Sequence, residues 1–145
     1  MPSGSPERMK ALGADIIIDT SNTPDWEKEV LGLTRGRGVD LVVENGGAGT
    51  LSRSPKAVWV GGTVTMTGVL SGFDGTVNTS LSLSKAVTVQ GLFVGNRQQF
   101  LEMNEGLRAN GIPPVVDHIY AFPETSLAYR DLEAARHVGK LVTRI

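Results

Sequence analysis

The feature that most constrains the fold is an apolar run over residues 39–44 that ends in a carboxylate and a glycine cluster. It reads VDLVVE and is followed directly by NGGAG. Such a run is typical of a buried parallel strand, and glycines let the following loop approach another group closely. Two further strands, predicted at 62–68 and 88–94, also end beside glycine. The pattern predicts an open α/β sheet with a ligand crevice along one edge.

Strands and helices alternate along the rest of the chain. Apolar runs predict further strands at 15–20, 115–122 and 139–145. Helices are predicted to start at Ser5 and Thr23, to occupy most of 48–58 and all of 125–137, and to carry a core stripe of Phe100, Met103 and Leu107. Residues 69–87 are predicted to be a long connection, in which the alternation of Leu81, Leu83 and Val87 suggests an edge strand. We expect a single domain over residues 1–145, with a C-terminal extension from about 112.

Composition excludes several classes of function. The net charge of −1 leaves no basic surface for nucleic acid or anionic lipid. The chain has no cysteine, so disulfides and thiolate zinc sites are excluded, and with two histidines no metal site is predicted. No apolar run reaches the length of a membrane span, and residues 1–5 do not read as a signal peptide. The expected location is therefore cytoplasmic.

Five short segments, taken in order, carry a family resemblance. They are KALGAD at 10–15, TRGRGVDLVVE at 34–44, GGTV at 61–64, GLFVGNR at 91–97 and GKLV at 139–142. Their order and spacing resemble the zinc-type alcohol dehydrogenases and quinone oxidoreductases of the medium-chain dehydrogenase superfamily. The resemblance implies a partial Rossmann-like fold, mostly parallel, with helices on its faces and a C-terminal strand–helix–strand. It covers only the last two-fifths or so of such proteins.

Several segments of that family have no counterpart in this sequence, and their absence also bears on the expected function. They are the catalytic domain with its zinc ligands, the first two Rossmann strands, and the glycine-rich turn that holds the pyrophosphate. Without those two strands, we expect strand 15–20 to pair directly with strand 39–44, or a second chain to fill the gap. The resemblance implies NAD(P), but we expect its binding to be weak or lost. Zinc is not expected to bind, and the chain alone is not expected to catalyse efficiently.

The resemblance also implies which residues would contact the cofactor. The turn after strand 39–44 would face the nicotinamide ribose, backbone groups after the next two strands would bond the carboxamide, and Lys140 would contact the pyrophosphate. Ser5 and Arg8 lie where NADP-preferring members hold the 2′-phosphate. The predicted cofactor-binding residues are Asn45, Gly46, Gly47, Thr67, Gly68, Val69, Leu92, Phe93, Val94, Arg97 and Lys140, and no catalytic residue is assigned.

Other interpretations stay open. The glycines are explained equally as turn residues, Arg97 as a helix-start or ion-pair residue, and Lys140 as a solvated lysine. Hydride transfer between nicotinamide and a carbonyl, alcohol or quinone is the reaction of the parent family. One alternative is a non-catalytic module that forms a homodimer through the strand near 87–94. Another is a hydrolase of small esters that uses Ser71 with His118 or His137, although the Gly-x-Ser-x-Gly elbow is absent. The sequence leaves the substrate and the choice between NAD and NADP open.

Overall fold

The computed structural model describes residues 5–145 and shows an α/β protein with parallel sheets, which confirms the predicted fold class. Two compact units make up this part of the chain. One comprises Ile18–Val94 and holds a three-stranded sheet; the other comprises the described residues up to Ile17 together with Gly95–Ile145 and holds a two-stranded sheet. The single domain over 1–145 stays a prediction.

The helices and strands of the described chain have the following bounds. The helices are α1 (Ser5–Ala11), α2 (Trp26–Leu33), α3 (Ser54–Ala57), α4 (Thr79–Ser84), α5 (Arg97–Ala109) and α6 (Thr125–Glu133), with a short 3-10 turn at Phe122–Glu124. The strands are β1 (Val39–Glu44), β2 (Val58–Met66), β3 (Thr88–Gly91), β4 (Val116–Ala121) and β5 (Lys140–Arg144).

The three-stranded sheet has the order β1-β2-β3, with every pair parallel. Alternate residues of a strand face opposite sides, so Val42 and its register partner Val64 share one face. That face is covered, and Val64 is fully buried with Leu51 and Val58 as the core. On the other face, Leu41 and Val43 are 53% and 64% exposed. One side of this parallel sheet is therefore uncovered within its own unit.

The start of β2 lies earlier than the predicted residue 62. Val58 pairs with Val39, whereas the next pair along the ladder joins Leu41 to Thr63. Residues 59–62 therefore bulge out of register, and Gly61 takes a φ of +84° in that bulge. The Arg37 guanidinium lies 4.5 Å from the Trp59 ring centroid beside it.

The predicted strand at 15–20 is wrong. These residues form no regular element, and β1 pairs with β2 alone in the described chain. The proposed direct pairing of 15–20 with 39–44 is therefore also wrong. An apolar run forms a strand only where another strand supplies hydrogen-bond partners, and Ile16 is instead 58% exposed.

Two further expectations need correction. Leu81 and Leu83 lie in helix α4 rather than in an edge strand, because the Asn78 side chain accepts a 3.0 Å hydrogen bond from the Leu81 N–H and caps the helix. The helix predicted over most of 48–58 shortens to α3, because Pro55 fits the first turn of a helix and not its interior. Turns occupy the residues before it.

The smaller unit contains β4 and β5, paired in parallel, with α6 packed against them. The register shifts between Val116 and His118, so the strand is irregular at Asp117. Helix α5 has a capping box at Asn96 and Gln99, but its apolar stripe is not a core: Phe100 and Met103 are 57% and 51% exposed. In residues 5–145, no helix is long and apolar enough to cross a membrane.

Candidate functional site

An apolar crevice of about 510 Å³ lies at the carboxyl ends of β2 and β3. Its position matches the place where open parallel sheets bind ligands, because the loops that follow neighbouring strands diverge there. The crevice contains five of the eleven predicted cofactor residues, Thr67, Gly68, Val69, Leu92 and Phe93. It is also lined by Met66, Phe73 and Gly91.

The loop after β1 is built around the buried carboxylate of Glu44. This side chain ends the strand and accepts hydrogen bonds from the Gly46 and Gly47 N–H groups at 2.8 and 3.0 Å. The Thr50 hydroxyl donates to it at 2.5 Å, and the Ser54 hydroxyl donates to its other oxygen. Burial alone would raise the pKa of Glu44, but these donors outweigh it and hold the pKa below its ordinary value. Glu44 is therefore an ionised anchor for the predicted site residues Asn45, Gly46 and Gly47.

Hydrogen bonds join this loop to the loop after β2. The Gly46 carbonyl accepts from the Ser71 N–H and from the Ser71 hydroxyl, both at 2.7 Å. The Asn45 carbonyl accepts from Leu70 at 3.2 Å, and the Gly72 carbonyl accepts from Ala48 at 3.2 Å. The two loops form one connected surface at the carboxyl edge of the sheet.

Glycine is required at two predicted site positions. Gly47 has a φ of +80°, and a Cβ there would lie 2.8 Å from the Val69 Cα. A Cβ on Gly68 would collide with the Asn45 side chain and lie 2.8 Å from the Asn45 carbonyl oxygen. These distances are too short for any side chain, so the two loops approach each other as backbone on backbone.

The remaining predicted residues lie outside the crevice lining. Val94 is 81% exposed and ends the larger unit. Arg97 is the first residue of α5, where the Asn96 side chain caps the helix. Lys140 begins β5, and its side chain lines a separate cavity of about 510 Å³ with residues of α6.

Arg8 and Ser5 are the two residues that the family resemblance places near a 2′-phosphate. The Arg8 guanidinium forms an ion pair with Asp117 and donates to the Val116 carbonyl at 3.1 Å. This guanidinium is already engaged by an acceptor of its own unit. The side chain of Ser5 lies outside the described part of the structure.

Sequence reasoning missed three residues of the site. Phe73 lines the crevice, but nothing in a polar connection distinguishes one aromatic residue from another. The sequence pattern marks Glu44 only as the end of a strand, although a carboxylate that ends a buried run beside glycine N–H groups indicates a hydrogen-bonded anchor. Ser71 was considered as a nucleophile, yet its hydroxyl donates to a backbone carbonyl. Among the serine side chains that the structure describes, from Ser21 onward, none donates a hydrogen bond to a histidine.

Asp117 and His118, next to the register shift in β4, line a cavity of about 400 Å³ together with Tyr120 and Asp131. The Tyr120 hydroxyl donates to Asp131 at 2.6 Å, and this bond raises the pKa of Tyr120 to about 12.

Comparison with known proteins identifies the family of the chain. A family model described as zinc-binding dehydrogenase matches residues 12–143. The chain belongs to the zinc-binding dehydrogenase family. A zinc-type alcohol dehydrogenase-like protein of Schizosaccharomyces pombe is 33% identical over 99% of this chain and 43% of its own length. The predicted family resemblance is thus confirmed.

Solved structures of this dehydrogenase family share the fold. An NAD-dependent alcohol dehydrogenase superposes with a TM-score of 0.82 at 30% identity, over 96% of this chain and 40% of its own. A quinone oxidoreductase of Pseudomonas syringae pv. tomato DC3000 gives a TM-score of 0.74 at 29% identity, over 94% of this chain and 44% of its own. The chain therefore spans about two-fifths of the relatives that it matches.

The family name implies zinc, and the residues of this chain do not fit a zinc centre. There is no cysteine in the sequence. In the described residues, no three histidine, aspartate or glutamate side chains lie close enough together to hold a metal ion.

Proposed function

We propose that the chain is the part of an NAD(P)-dependent oxidoreductase that binds the nicotinamide end of the cofactor, in the crevice at the carboxyl ends of β2 and β3. The single observation that carries the proposal is the crevice itself, apolar and lined by the exposed rings of Phe73 and Phe93. A flat nicotinamide ring suits such a surface. The cofactor, when bound, transfers a hydride to or from a carbonyl, alcohol or quinone.

Backbone groups around the crevice support recognition of the nicotinamide carboxamide. In residues 5–145, the N–H groups of Val69, Phe93 and Val94 donate to no protein acceptor. The Leu92 N–H, in contrast, is held by the Met66 carbonyl at 2.8 Å, which fixes the chain next to the free groups. Asn45, Gly46 and Gly47 would face the ribose of the same nucleotide. Arg97 and Lys140 are proposed phosphate contacts on grounds of charge alone.

The role of the chain in this proposal is to orient the cofactor. The glycine-rich turn that holds the pyrophosphate in Rossmann domains has no counterpart in this sequence, so much of the usual binding free energy is missing. Relatives are more than twice as long, and hydride transfer to a particular substrate is proposed for a complete protein of that kind. A cytoplasmic location stays a prediction from the sequence.

Titration of the purified chain with NADPH and then NADH tests the proposal. Both tryptophans, Trp26 and Trp59, lie in the unit that contains the crevice, so their fluorescence is a suitable signal, and calorimetry provides a second one. We expect saturable binding in the micromolar range. Absence of binding at millimolar cofactor would show that the family relationship records ancestry only.

A second candidate is homodimerisation through the strand near 87–94. β3 pairs with β2 on one side only in the described chain, and its four residues are exposed. β3 ends at Gly91, three residues before the predicted end at 94, and Leu92, Phe93 and Val94 follow it as an exposed apolar segment. An unpaired edge beside apolar residues favours pairing with a second copy. Sedimentation velocity over a concentration series tests this, and a monomer at micromolar concentration would contradict it.

A further inference from the structure

We infer that Ser71 is a positioning residue that fixes the wall of the crevice through its hydroxyl group, an inference that rests on the proposed NAD(P) site. The hydroxyl donates to the Gly46 carbonyl at 2.7 Å and accepts from the Gly49 N–H at 2.8 Å. One side chain thus connects the loop after β2 to two points of the loop after β1. Ser71 does not line the crevice and therefore acts through its neighbours.

Gly46 is held by hydrogen bonds at both its N–H and its carbonyl group. Its N–H donates to the buried Glu44 carboxylate at 2.8 Å, and its carbonyl accepts both Ser71 hydrogen bonds. Glu44 is fixed in turn, because it is buried and receives four donors. The Ser71 hydroxyl is therefore attached to a part of the loop after β1 that the buried Glu44 carboxylate fixes to the end of the strand.

A hydrogen-bonded turn connects Ser71 to Val69, which lines the crevice. The Gly72 N–H donates to the Val69 carbonyl at 3.0 Å, which closes a tight turn over residues 69–72. Val69 lines the crevice and carries one of the free N–H groups proposed for the carboxamide. Displacement of Ser71 would rotate this turn and move that N–H away from the ligand.

Because Ser71 is exposed to solvent, loss of its hydroxyl should change the geometry of the loop without lowering the stability of the fold. Its side chain is exposed and contributes nothing to the core around Val58 and Val64. Loss of the hydroxyl leaves the Gly49 N–H and the Gly46 carbonyl able to bond water, so folding is little affected. The Ser71 N–H keeps its own bond to the Gly46 carbonyl, but the direct bond to the Gly49 N–H depends on the hydroxyl alone, and water does not reproduce its fixed length.

The test compares Ser71→Ala with Ser71→Thr, which keeps the hydroxyl. Ser84→Ala is the matched control, because Ser84 is an exposed serine whose hydroxyl donates within α4. Binding of NADPH and of reduced nicotinamide mononucleotide is measured by calorimetry, with thermal melting as a check on folding. We expect Ser71→Ala to raise both dissociation constants about tenfold with an unchanged melting temperature, and Ser71→Thr and Ser84→Ala to stay within about threefold of the parent.

Amide hydrogen exchange gives a readout that does not depend on the cofactor. In Ser71→Ala the Gly49 amide should lose protection and the Val69–Gly72 turn should exchange faster, whereas Ser84→Ala should change neither. Unchanged exchange at Gly49, or unchanged nicotinamide affinity in a parent chain that binds, overturns the inference. If the parent chain binds neither nucleotide, the proposed function fails, and the exchange data alone decide whether Ser71 fixes the turn.

Discussion

Glu44 and Ser54 lie ten residues apart in the chain, and the buried hydroxyl of Ser54 donates directly to the buried carboxylate of Glu44. This contact joins the end of β1 to the start of α3, and the turn between them wraps around the same carboxylate. A charged group in the interior is tolerated only when it is hydrogen-bonded or paired with an opposite charge. The anchor of the proposed nucleotide loop is thus electrostatic, although the strand leading to it is apolar.

Replacement of Glu44 by alanine should strongly destabilise the fold. Four donors, two of them hydroxyls, would lose their acceptor in a buried place, and we expect the free energy of unfolding to fall by about 3 kcal/mol. Urea denaturation measures this. Asp40→Ala is the control, because Asp40 forms only an exposed ion pair with Arg37, and it should leave the free energy of unfolding nearly unchanged. Equal effects of the two substitutions would refute the anchor role.

The Glu44 carboxylate should also make the free energy of unfolding decrease at acid pH, which appears as an acid limb in a plot of stability against pH. The pKa of folded Glu44 lies below its ordinary value of 4.5, so the unfolded chain takes up the proton first as pH falls. The stabilisation is therefore present above about pH 4.5 and is lost as the pH falls through the folded-state pKa. Glu44→Gln should flatten this limb in denaturation experiments between pH 6 and pH 3. A parallel limb in parent and variant would assign the acid sensitivity to other carboxylates.

Tyr120 should titrate at unusually high pH. Its hydroxyl donates to Asp131, and the pKa of about 12 means that the neutral form is favoured in the fold. This contribution to stability is complete below pH 10 and is lost as the pH rises through 12. Ultraviolet titration of the parent chain should show a phenolate component near pH 12, and Tyr120→Phe should remove it. Persistence of that component in the variant would contradict the assignment.

Lys85 should stabilise the larger unit as a cap for carbonyl groups. Its ammonium donates to the Pro55 and Lys56 carbonyls at 3.2 and 3.0 Å and also to Val58, at the C-terminal end of α3. Lys85→Met should lower the free energy of unfolding by about 1–2 kcal/mol. Lys28→Met removes only the exposed ion pair with Asp25 and serves as the control, and it should leave the free energy of unfolding nearly unchanged.

Gly68 should be essential for nicotinamide binding in the crevice, whereas Gly91 should not. A Cβ on Gly68 would collide with Asn45 and displace the loop after β1, so Gly68→Ala should abolish nicotinamide binding at micromolar concentrations. Gly91 also lines the crevice, but a Cβ there meets nothing within 4 Å, and Gly91→Ala should bind within about threefold of the parent. Calorimetry with NADPH measures both variants.

Some elements could be predicted from local sequence because local physics decides them. The strand 39–44 matched β1 residue for residue, since an apolar run between glycines has no other regular structure available. The helix that starts at Arg97 follows a capping box of Asn96 and Gln99, which satisfies its first N–H groups locally. The crevice at the carboxyl ends of β2 and β3 follows from parallel topology, which glycine-ended strands indicate.

Other features depend on partners distant in sequence. Residues 15–20 are apolar enough for a strand, but hydrogen bonds from another strand decide whether one forms, and the described chain supplies none. Leu81 and Leu83 alternate as in a strand, yet the Asn78 cap places them in a helix. Whether Phe100 and Met103 are buried depends on what packs over them, which periodicity does not specify.

The sequence by itself determined the parallel α/β class and the edge of the sheet where the crevice lies, through local patterns of apolar residues and glycine, and it determined the family through the order of five short segments. Only the tertiary structure decided how the site is held together. The Glu44 carboxylate meets its donors within ten residues, but Ser71 reaches Gly46 across 25 residues of chain, and no local pattern encodes that pairing. Contacts of this kind form only when the strands are already in register, and the folded sheet is what supplies that register.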